Sequence, residues 1–309
     1  MKITFAVLVL LIIAAFIPFQ QHASISIRAN YFEVCQQLIS ADNWKRWQPD
    51  IRNALANSKQ DKLSTDGRAF LISIPGQSFK VESMSANTFN VTRTQNHMEH
   101  QYHYTVIPEV ANNHTTIVVD VKNNAGKWLL SKLDSSGNIL DDLKLLKRFM
   151  ENAKLYYGFN INEKNVDETY LAIKKKTILT RNKYAEIARA AKDVRDFIAQ
   201  NNLQARQSLA GAYYPKKTDS VQILIGIPVT KQLNSNGDIT FMHMPGGKWL
   251  VGDYKGKYSG RQQLYNAMEK YMQDHSLLKQ IAPFERYLDN KPPASDDDII
   301  NMQVNYPVL

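Results

Sequence analysis

The chain has 309 residues, of which 44% are hydrophobic and 22% are charged, and its net charge is +9 at pH 7. This length and composition predict two globular domains with cores of their own and exclude a fully disordered chain. The basic residues are dispersed rather than clustered, so nucleic-acid binding is not predicted. The single cysteine, Cys35, excludes an intrachain disulfide and a cysteine-based metal site.

The N-terminal run over residues 3–19 is apolar apart from Thr4. Its length is near the minimum for a helix that spans a bilayer. Lys2 precedes it, as in a signal peptide, but no small-x-small cleavage site follows. We therefore favour an uncleaved single-pass membrane anchor over residues 1–21, with a signal peptide as the alternative. The charge before the run predicts that the remaining chain lies outside the cytoplasm.

Residues 22–157 have the pattern of an α+β domain. Alternation over residues 23–28 predicts a strand, and Asn30 is a suitable N-cap for the helix that follows. Turn-forming residues separate five further predicted strands, and an amphipathic helix closes the domain. These elements are residues 69–74, 79–85, 88–94, 100–107 and 115–121 for the strands, and residues 139–157 for the helix. The order is typical of an antiparallel sheet packed against helices.

Two stretches of this domain resemble the SRPBCC superfamily, which includes START-like and polyketide-cyclase-like proteins. They are SISIRANYFEVCQQLISADNWKRWQPDI near the start and ILDDLKLLKRFMENA near the end. The resemblance covers residues 22–157 and implies a helix-grip fold, in which a curved sheet wraps around the closing helix. It also implies an apolar cavity for lipids or hydrophobic metabolites.

The remaining chain, residues 158–309, reads as a second α+β domain. Residues 158–168 are polar and rich in asparagine, which predicts a linker. The elements that follow are a strand over 169–179, a helix from Thr180, strands over 209–214 and 221–227, a strand over 248–254, a helix opened by Ser259 and Gly260, and a last strand over 301–307. The order strand, helix, strand, strand is repeated, which predicts a duplicated βαββ unit with a ligand cleft between the copies.

This second half resembles the GyrI-like family, also called the AraC-type effector-binding domain. The matching stretches are LAGAYYP, SVQILIGIPV, MPGGKWLVGDYKGKYSGRQQLYNAMEKYMQDH, PFERYLDN and NMQVNYPV. The resemblance implies a carboxylate in an aromatic-lined cleft that holds cationic, flat or amphipathic ligands. Glu285 stands at the acidic position of the family pattern, and Tyr287 matches the aromatic residue two positions later.

The chemistry agrees with that role for Glu285. A carboxylate removed from water is costly unless it meets a positive charge, and aromatic faces also attract cations. The alternative for Glu285 is an ion pair with Arg286 or a nearby lysine on the surface. Three further aromatic residues are ligand-binding candidates by their position near the proposed cleft, with core packing as the alternative for each: Tyr213, Trp249 and Tyr254.

The predicted function is that of a membrane-anchored, non-enzymatic protein that binds a hydrophobic or cationic amphipathic small molecule. No cofactor, metal or nucleic-acid partner is predicted, and no protein partner is indicated. One alternative is an enzyme, either a hydrolase that uses Glu285 as a base or a cyclase-like activity in the first domain. A second alternative is a module that binds and inhibits another protein. No nucleophile elbow, metal-ligand cluster or phosphate loop supports other chemistry.

Overall fold

The computed structural model describes residues 18–56, 63–66, 68–74, 76–95, 98–109, 113–124, 140–206, 208–217, 219–233 and 237–309. The chain divides into two compact units, Met1–Asn152 and Ala153–Leu309. The prediction of an α+β protein is confirmed.

The first unit contains one antiparallel sheet among its described residues. Its strands are β1 (Pro18–Ile27), β2 (Leu63–Asp66), β3 (Ala69–Ile74), β4 (Gln77–Ser83), β5 (Thr88–Gln95), β6 (Met98–Glu109) and β7 (His114–Asn124). Helices α1 (Tyr31–Ile39), α2 (Ala41–Trp47) and α3 (Pro49–Ala56) follow β1, and α4 (Asp141–Met150) follows β7 in sequence. The sheet order is β1-β7-β6-β5-β4-β3-β2, so the strands after the helices form a simple meander.

Helices cover one face of this sheet. The side chain of Asn30 caps α1 by accepting a hydrogen bond from the Phe32 amide at 2.9 Å. Helix α1 then packs on β4, β6 and β7, and α4 contacts β1 and α2. Alternate residues of the strands, such as Val106 and Val119, are fully buried. The period of two in the sequence therefore corresponds to one apolar face beneath the helices.

The predicted membrane anchor is wrong. Pro18 and Phe19, the last residues of the apolar run, begin β1 and pair with Asn124 and Asn123 of β7. No helix within the described ranges is long and apolar enough to cross a membrane. Proline disfavours a helical residue before it, and the backbone groups of β1 find their partners in β7 instead. Residues 3–17 of the predicted span lie outside the described residues. The predicted location outside the cytoplasm depended on this anchor and therefore loses its basis.

The second unit begins with the short helix α5 (Ala153–Tyr157) and contains an eight-stranded antiparallel sheet in its described part. Its strands are β8 (Ile161–Val166), β9 (Thr169–Leu179), β10 (Ala210–Lys217), β11 (Ser220–Val229), β12 (Ile239–Met244), β13 (Gly247–Lys257), β14 (Phe284–Tyr287) and β15 (Ile299–Pro307). Helix α6 (Lys183–Gln200) follows β9, and α7 (Gln262–Asp274) follows β13. The sheet order is β12-β9-β11-β10-β14-β15-β13-β8.

The order strand, helix, strand, strand occurs twice in this unit, as β9-α6-β10-β11 and as β13-α7-β14-β15. The two copies meet at the β10–β14 pair, and the order of strands outward from that pair is the same on both sides. The outermost strands are exchanged: β8 precedes the first copy but pairs with β13, and β12 precedes the second copy but pairs with β9. Residues 158–168, predicted to be a linker, thus contain an edge strand whose side chains are mostly exposed.

Both long helices lie on the same face of this sheet. Helix α6 packs on β9 and β11, and α7 packs on β13, so the central β10–β14 pair lies between them. Helix α7 buries Leu264, Met268 and Met272 against the sheet. Tyr287 of β14 belongs to the same core. Because side chains alternate along a strand, Glu285 shares this helix-covered face, whereas Phe284 and Arg286 face the opposite side.

Candidate functional site

The centre of the site is the carboxylate of Glu285, whose residue is only 1% exposed. Its Oε1 accepts hydrogen bonds from Arg261 Nε at 2.9 Å and from Tyr265 Oη at 3.2 Å. Its Oε2 accepts from Tyr258 Oη at 2.9 Å and from Tyr287 Oη at 2.7 Å. A carboxylate offers about four lone-pair positions, so these donors engage its full accepting capacity.

Two of the donors come from the turn that joins β13 to α7. This 3-10 turn, Tyr258–Arg261, supplies one phenol and the guanidinium, and Tyr265 lies one helical turn after Arg261. The Arg261 guanidinium also stacks on the Tyr258 ring, 3.8 Å from its centroid, and donates through Nη1 to the Tyr258 carbonyl at 2.9 Å. Arg261 is therefore held by a charge, a ring face and a backbone oxygen.

The neighbouring strand β10 completes the cluster. The Tyr213 hydroxyl hydrogen-bonds the Tyr287 hydroxyl. Gly211 pairs directly with Glu285 across the β10–β14 ladder. A Cβ atom at Gly211 would lie 2.6 Å from the Tyr213 hydroxyl oxygen and 3.1 Å from that of Tyr287, so the glycine makes room for this hydroxyl pair.

The two copies contribute unequally to the site. Counted from the starts of β10 and β14, Tyr213 corresponds to Tyr287, and Gly211 corresponds to Glu285. The duplicated strands thus supply a matched pair of phenols. Only the second copy supplies a carboxylate, and the first supplies the space opposite it.

The protonation states keep this arrangement intact at neutral pH. Burial raises the pKa of all four clustered phenols well above the usual 10, and the nearby charge of Glu285 raises each further: Tyr213, Tyr258, Tyr265 and Tyr287. Burial lowers the pKa of Arg261, but Tyr258 and Glu285 outweigh that effect, and the pKa is raised on balance. The phenols remain donors, and the guanidinium remains a cation.

The rim of the site carries a second set of rings and cations. The rings of Tyr184 and Tyr258 meet edge to face with centroids 6.3 Å apart. Lys183 Nζ lies 4.3 Å from the Tyr184 centroid and 6.0 Å from that of Tyr258. Asp296 accepts a hydrogen bond from the Tyr184 hydroxyl and lies 3.8 Å from Lys183 Nζ. The rings of Tyr184 and Tyr258 thus already lie close to one positive charge, that of Lys183.

The comparison with protein families assigns this half of the chain. Residues 159–306 match the family described as the GyrI-like small molecule binding domain. The second unit is a GyrI-like domain. Curated protein sequences give no match to the chain.

Solved structures give distant matches. EcmrR in its complex with DNA is 15% identical, with a TM-score of 0.41, and the match covers 59% of this chain and 75% of that chain. SAV2435 bound to tetraphenylphosphonium is 14% identical, with a TM-score of 0.29, over 48% of this chain and 94% of that chain. A START superfamily protein from Mycobacterium smegmatis is 12% identical, with a TM-score of 0.31, over 43% of this chain and 97% of that chain.

The GyrI-like domain brings together three of the five predicted site residues: Glu285, Tyr287 and Tyr213. Tyr254 lies at the edge of the cluster. Its hydroxyl donates to the Lys257 carbonyl at 2.5 Å, and burial raises its pKa while the charge of Arg261 opposes the rise.

Trp249 is not part of the cluster. Its ring packs edge to face on Phe284 with centroids 5.4 Å apart, on the sheet face opposite Glu285, and it is buried with Leu171 and Ile173. Arg286, the alternative partner considered for Glu285, faces that same side and donates to Gln303. The ion pair of Glu285 is formed with Arg261 instead.

Sequence reasoning missed Arg261, Tyr258 and Tyr265. Their spacing holds a usable signal, because Arg261 and Tyr265 are four residues apart at the start of a helix and therefore share a face. Among the described residues, no group of three or more His, Cys, Asp or Glu side chains is arranged to hold a metal ion. What the cluster offers chemically is one carboxylate, four phenols and one guanidinium.

Proposed function

We propose that the GyrI-like domain binds a hydrophobic cation between α6 and α7, with Glu285 as the counter-charge. The observation that carries this proposal is a carboxylate only 1% exposed among phenols. Removing a carboxylate from water is unfavourable unless positive charge approaches it, and in the chain alone Arg261 supplies that charge. Phenols hold its oxygens in place without neutralising its charge, and their ring faces attract cations as well. The match to a small-molecule-binding family supports a small ligand.

Binding is favoured over general-base catalysis by the state of the carboxylate. A base needs a lone pair within reach of the proton that it takes. Both oxygens of Glu285 already accept two hydrogen bonds each. A hydrolase that uses Glu285 as its base would have to release one of these donors and also bring the substrate's proton to the freed lone pair, whereas a counter-charge needs no such proton contact.

The test compares two ligands of similar shape and different charge on the full chain. Methyltriphenylphosphonium is a cation, and triphenylphosphine oxide is neutral. We expect the wild type to prefer the cation and Glu285→Gln to weaken cation binding by about 10- to 100-fold, or about 1.4–3 kcal/mol, with little change for the oxide. Isothermal titration calorimetry gives both affinities.

The matched control is Glu168→Gln, which removes a carboxylate whose side chain is 73% exposed. It should leave both affinities unchanged. A wild type that binds the two ligands equally, or a Glu285→Gln variant that loses both equally, would overturn the role of Glu285. Circular dichroism of each variant checks that the fold is retained.

We further propose that the first unit is a START-like helix-grip domain that holds a hydrophobic molecule. The support is the order of β1, three helices, a meander of six strands and the closing helix α4. A non-polar fluorescent probe bound there should compete with a long-chain lipid and not with methyltriphenylphosphonium. Displacement of the probe by the phosphonium alone would count against a site in the first unit.

A further inference from the structure

The place that a cationic ligand needs at Glu285 is taken by a cation of the chain itself. Arg261 places Nε 2.9 Å from Glu285 Oε1 and its guanidinium 3.8 Å from the centroid of the Tyr258 ring. We propose that Arg261 is a built-in competitor, which a ligand must displace from both the carboxylate and the ring face. This inference rests on the proposed function and specifies which ligands the site accepts.

The hydrogen bonds of Glu285 make displacement necessary. Its two oxygens accept four hydrogen bonds, and a carboxylate has about four positions for them. With Arg261 in place, the pair is also neutral overall, so its long-range attraction for a further cation is weak. A ligand gains the full charge of Glu285 only after the guanidinium leaves.

Of the four donors, Tyr258 and Tyr287 are 1% and 0% exposed, whereas Tyr265 is half-buried and the side chain of Arg261 is 26% exposed. Arg261 is the charged one of the two donors that reach the surface, so it is the one that a cation would replace. An acidic residue, Asp296, lies close to the turn that carries Arg261, because its carbonyl accepts a hydrogen bond from the amide of Ser259, two residues before Arg261, at 2.8 Å. The side chain of Asp296 is 62% exposed, so it offers a displaced guanidinium a counter-charge at the surface.

This competition selects for bulky, apolar cations. A guanidinium already fits the carboxylate well, so a small ammonium ion would exchange one charge for another without gain. A ligand with a large apolar body adds about 25 cal/mol for each Å² of apolar surface that it buries. Competition with Arg261 therefore strengthens the preference for the hydrophobic cation proposed above over a small ammonium ion.

The test uses Arg261→Met, which keeps the length of the side chain and removes its charge, with Arg261→Lys as the control that keeps the charge. For methyltriphenylphosphonium we expect Arg261→Met to bind about tenfold tighter than the wild type, because no competitor remains. Triphenylphosphine oxide should bind all three proteins alike, and Arg261→Lys should remain near the wild type. Equal weakening for both ligands in Arg261→Met would mean that Arg261 only builds the wall of the site.

Arg261→Met also leaves a buried carboxylate without its charge partner and lowers stability, so a second measurement uses the wild type. The Nε–H proton of Arg261 gives an NMR signal that Arg261→Lys identifies by its loss. Saturating methyltriphenylphosphonium should expose this proton to rapid exchange with water. Continued protection in the cation complex overturns the proposal.

Failure of the proposed function has a different signature. In that case neither the wild type nor Arg261→Met prefers the cation over the oxide. A wild type that prefers the cation while Arg261 stays protected preserves the role of Glu285 and removes only the competition.

Discussion

Each unit buries a carboxylate beside an arginine, and the two carboxylates have very different surroundings. Glu285 in the second unit accepts four hydrogen bonds, one of them from Arg261 at 2.9 Å, and its side chain is 2% exposed. Asp142 in the first turn of α4 accepts from Gln48 Nε2 at 2.8 Å, and Arg93 Nη1 lies 3.5 Å away. The Asp142 side chain is 14% exposed. The more deeply buried carboxylate has the more complete set of donors.

The difference shows how a fold keeps a buried charge. At Asp142, burial raises the pKa, and Arg93 and Gln48 oppose the rise only in part. At Glu285, by contrast, three phenols and a guanidinium occupy the accepting positions. At Asp142 the two donors do not fully offset the cost of burying the charge, so the ionised form is less favourable there than in water. The donor set around Glu285 is the one that we expect to be costly to disturb.

The largest expected effect follows from neutralising each carboxylate. Glu285→Gln should lower the free energy of unfolding of the second unit by about 3 kcal/mol, because Arg261 loses its charge partner and the new amide presents N–H groups to donors. Asp142→Asn should change the free energy of unfolding of the first unit by about 1 kcal/mol or less, because the donors around Asp142 offset the cost of burying its charge only in part.

Amide hydrogen exchange separates these two effects, because it reports the slowest-opening amides of β15 and β6 independently in one sample. Each variant serves as the control for the other, since the unit without the substitution should keep its protection. Similar losses at the two sites would contradict the contrast drawn between their donor sets.

The sequence indicates the carboxylate of the site better than its partners. Glu285 and Tyr287 stand two residues apart on one strand, so a short motif is enough to find both. Arg261 is 24 positions away from Glu285, and their contact depends on how the turn before α7 meets β14. Arg286, the neighbour in sequence, is carried to the opposite face by strand alternation. Partners of this kind depend on tertiary packing, which a local pattern does not specify.

The fold shows the same division between local and long-range information. Strand β11 alternates strictly in sequence and is predicted within one or two residues of its bounds. Strands β8 and β12 lie at the edges of the sheet, carry little alternation, and were missed. The predicted membrane anchor illustrates the reverse error, because hydrophobicity alone does not reveal that Pro18 and Phe19 belong to a paired strand.

A smaller effect is expected where the donor set at Glu285 depends on space. Gly211→Ala would place Cβ 2.6 Å from the Tyr213 hydroxyl oxygen, so the pair formed by Tyr213 and Tyr287 must shift. We expect a loss of about 1–3 kcal/mol in the second unit, as in other overpacked sites, together with weaker cation binding. Exchange of the β15 amides and calorimetry with methyltriphenylphosphonium give the two values.

Gly256→Ala is the matched control for this substitution. It lies in the same sheet, and its Cβ would lie 3.1 Å from the Tyr254 hydroxyl oxygen. The Tyr254 side chain is near the rim and can move to relieve this contact. Its loss of stability should be well below that of Gly211→Ala. A Gly211→Ala variant no less stable than Gly256→Ala would show that the hydroxyl pair does not require the glycine.

The smallest expected effect is a pH dependence that comes from Asp142. Its pKa in the folded protein is above the ordinary value of 3.8, to which it returns on unfolding. Between these two values the folded state binds more protons than the unfolded state, so this group makes stability fall as the pH rises through the window. We expect the wild type to lose stability relative to Asp142→Asn as the pH rises from about 4. Asp42→Asn, in the first turn of α2 with a side chain 79% exposed, is the matched control and should follow the wild type. A wild type that gains stability relative to Asp142→Asn across this window would mean that Arg93 and Gln48 more than offset the burial of Asp142.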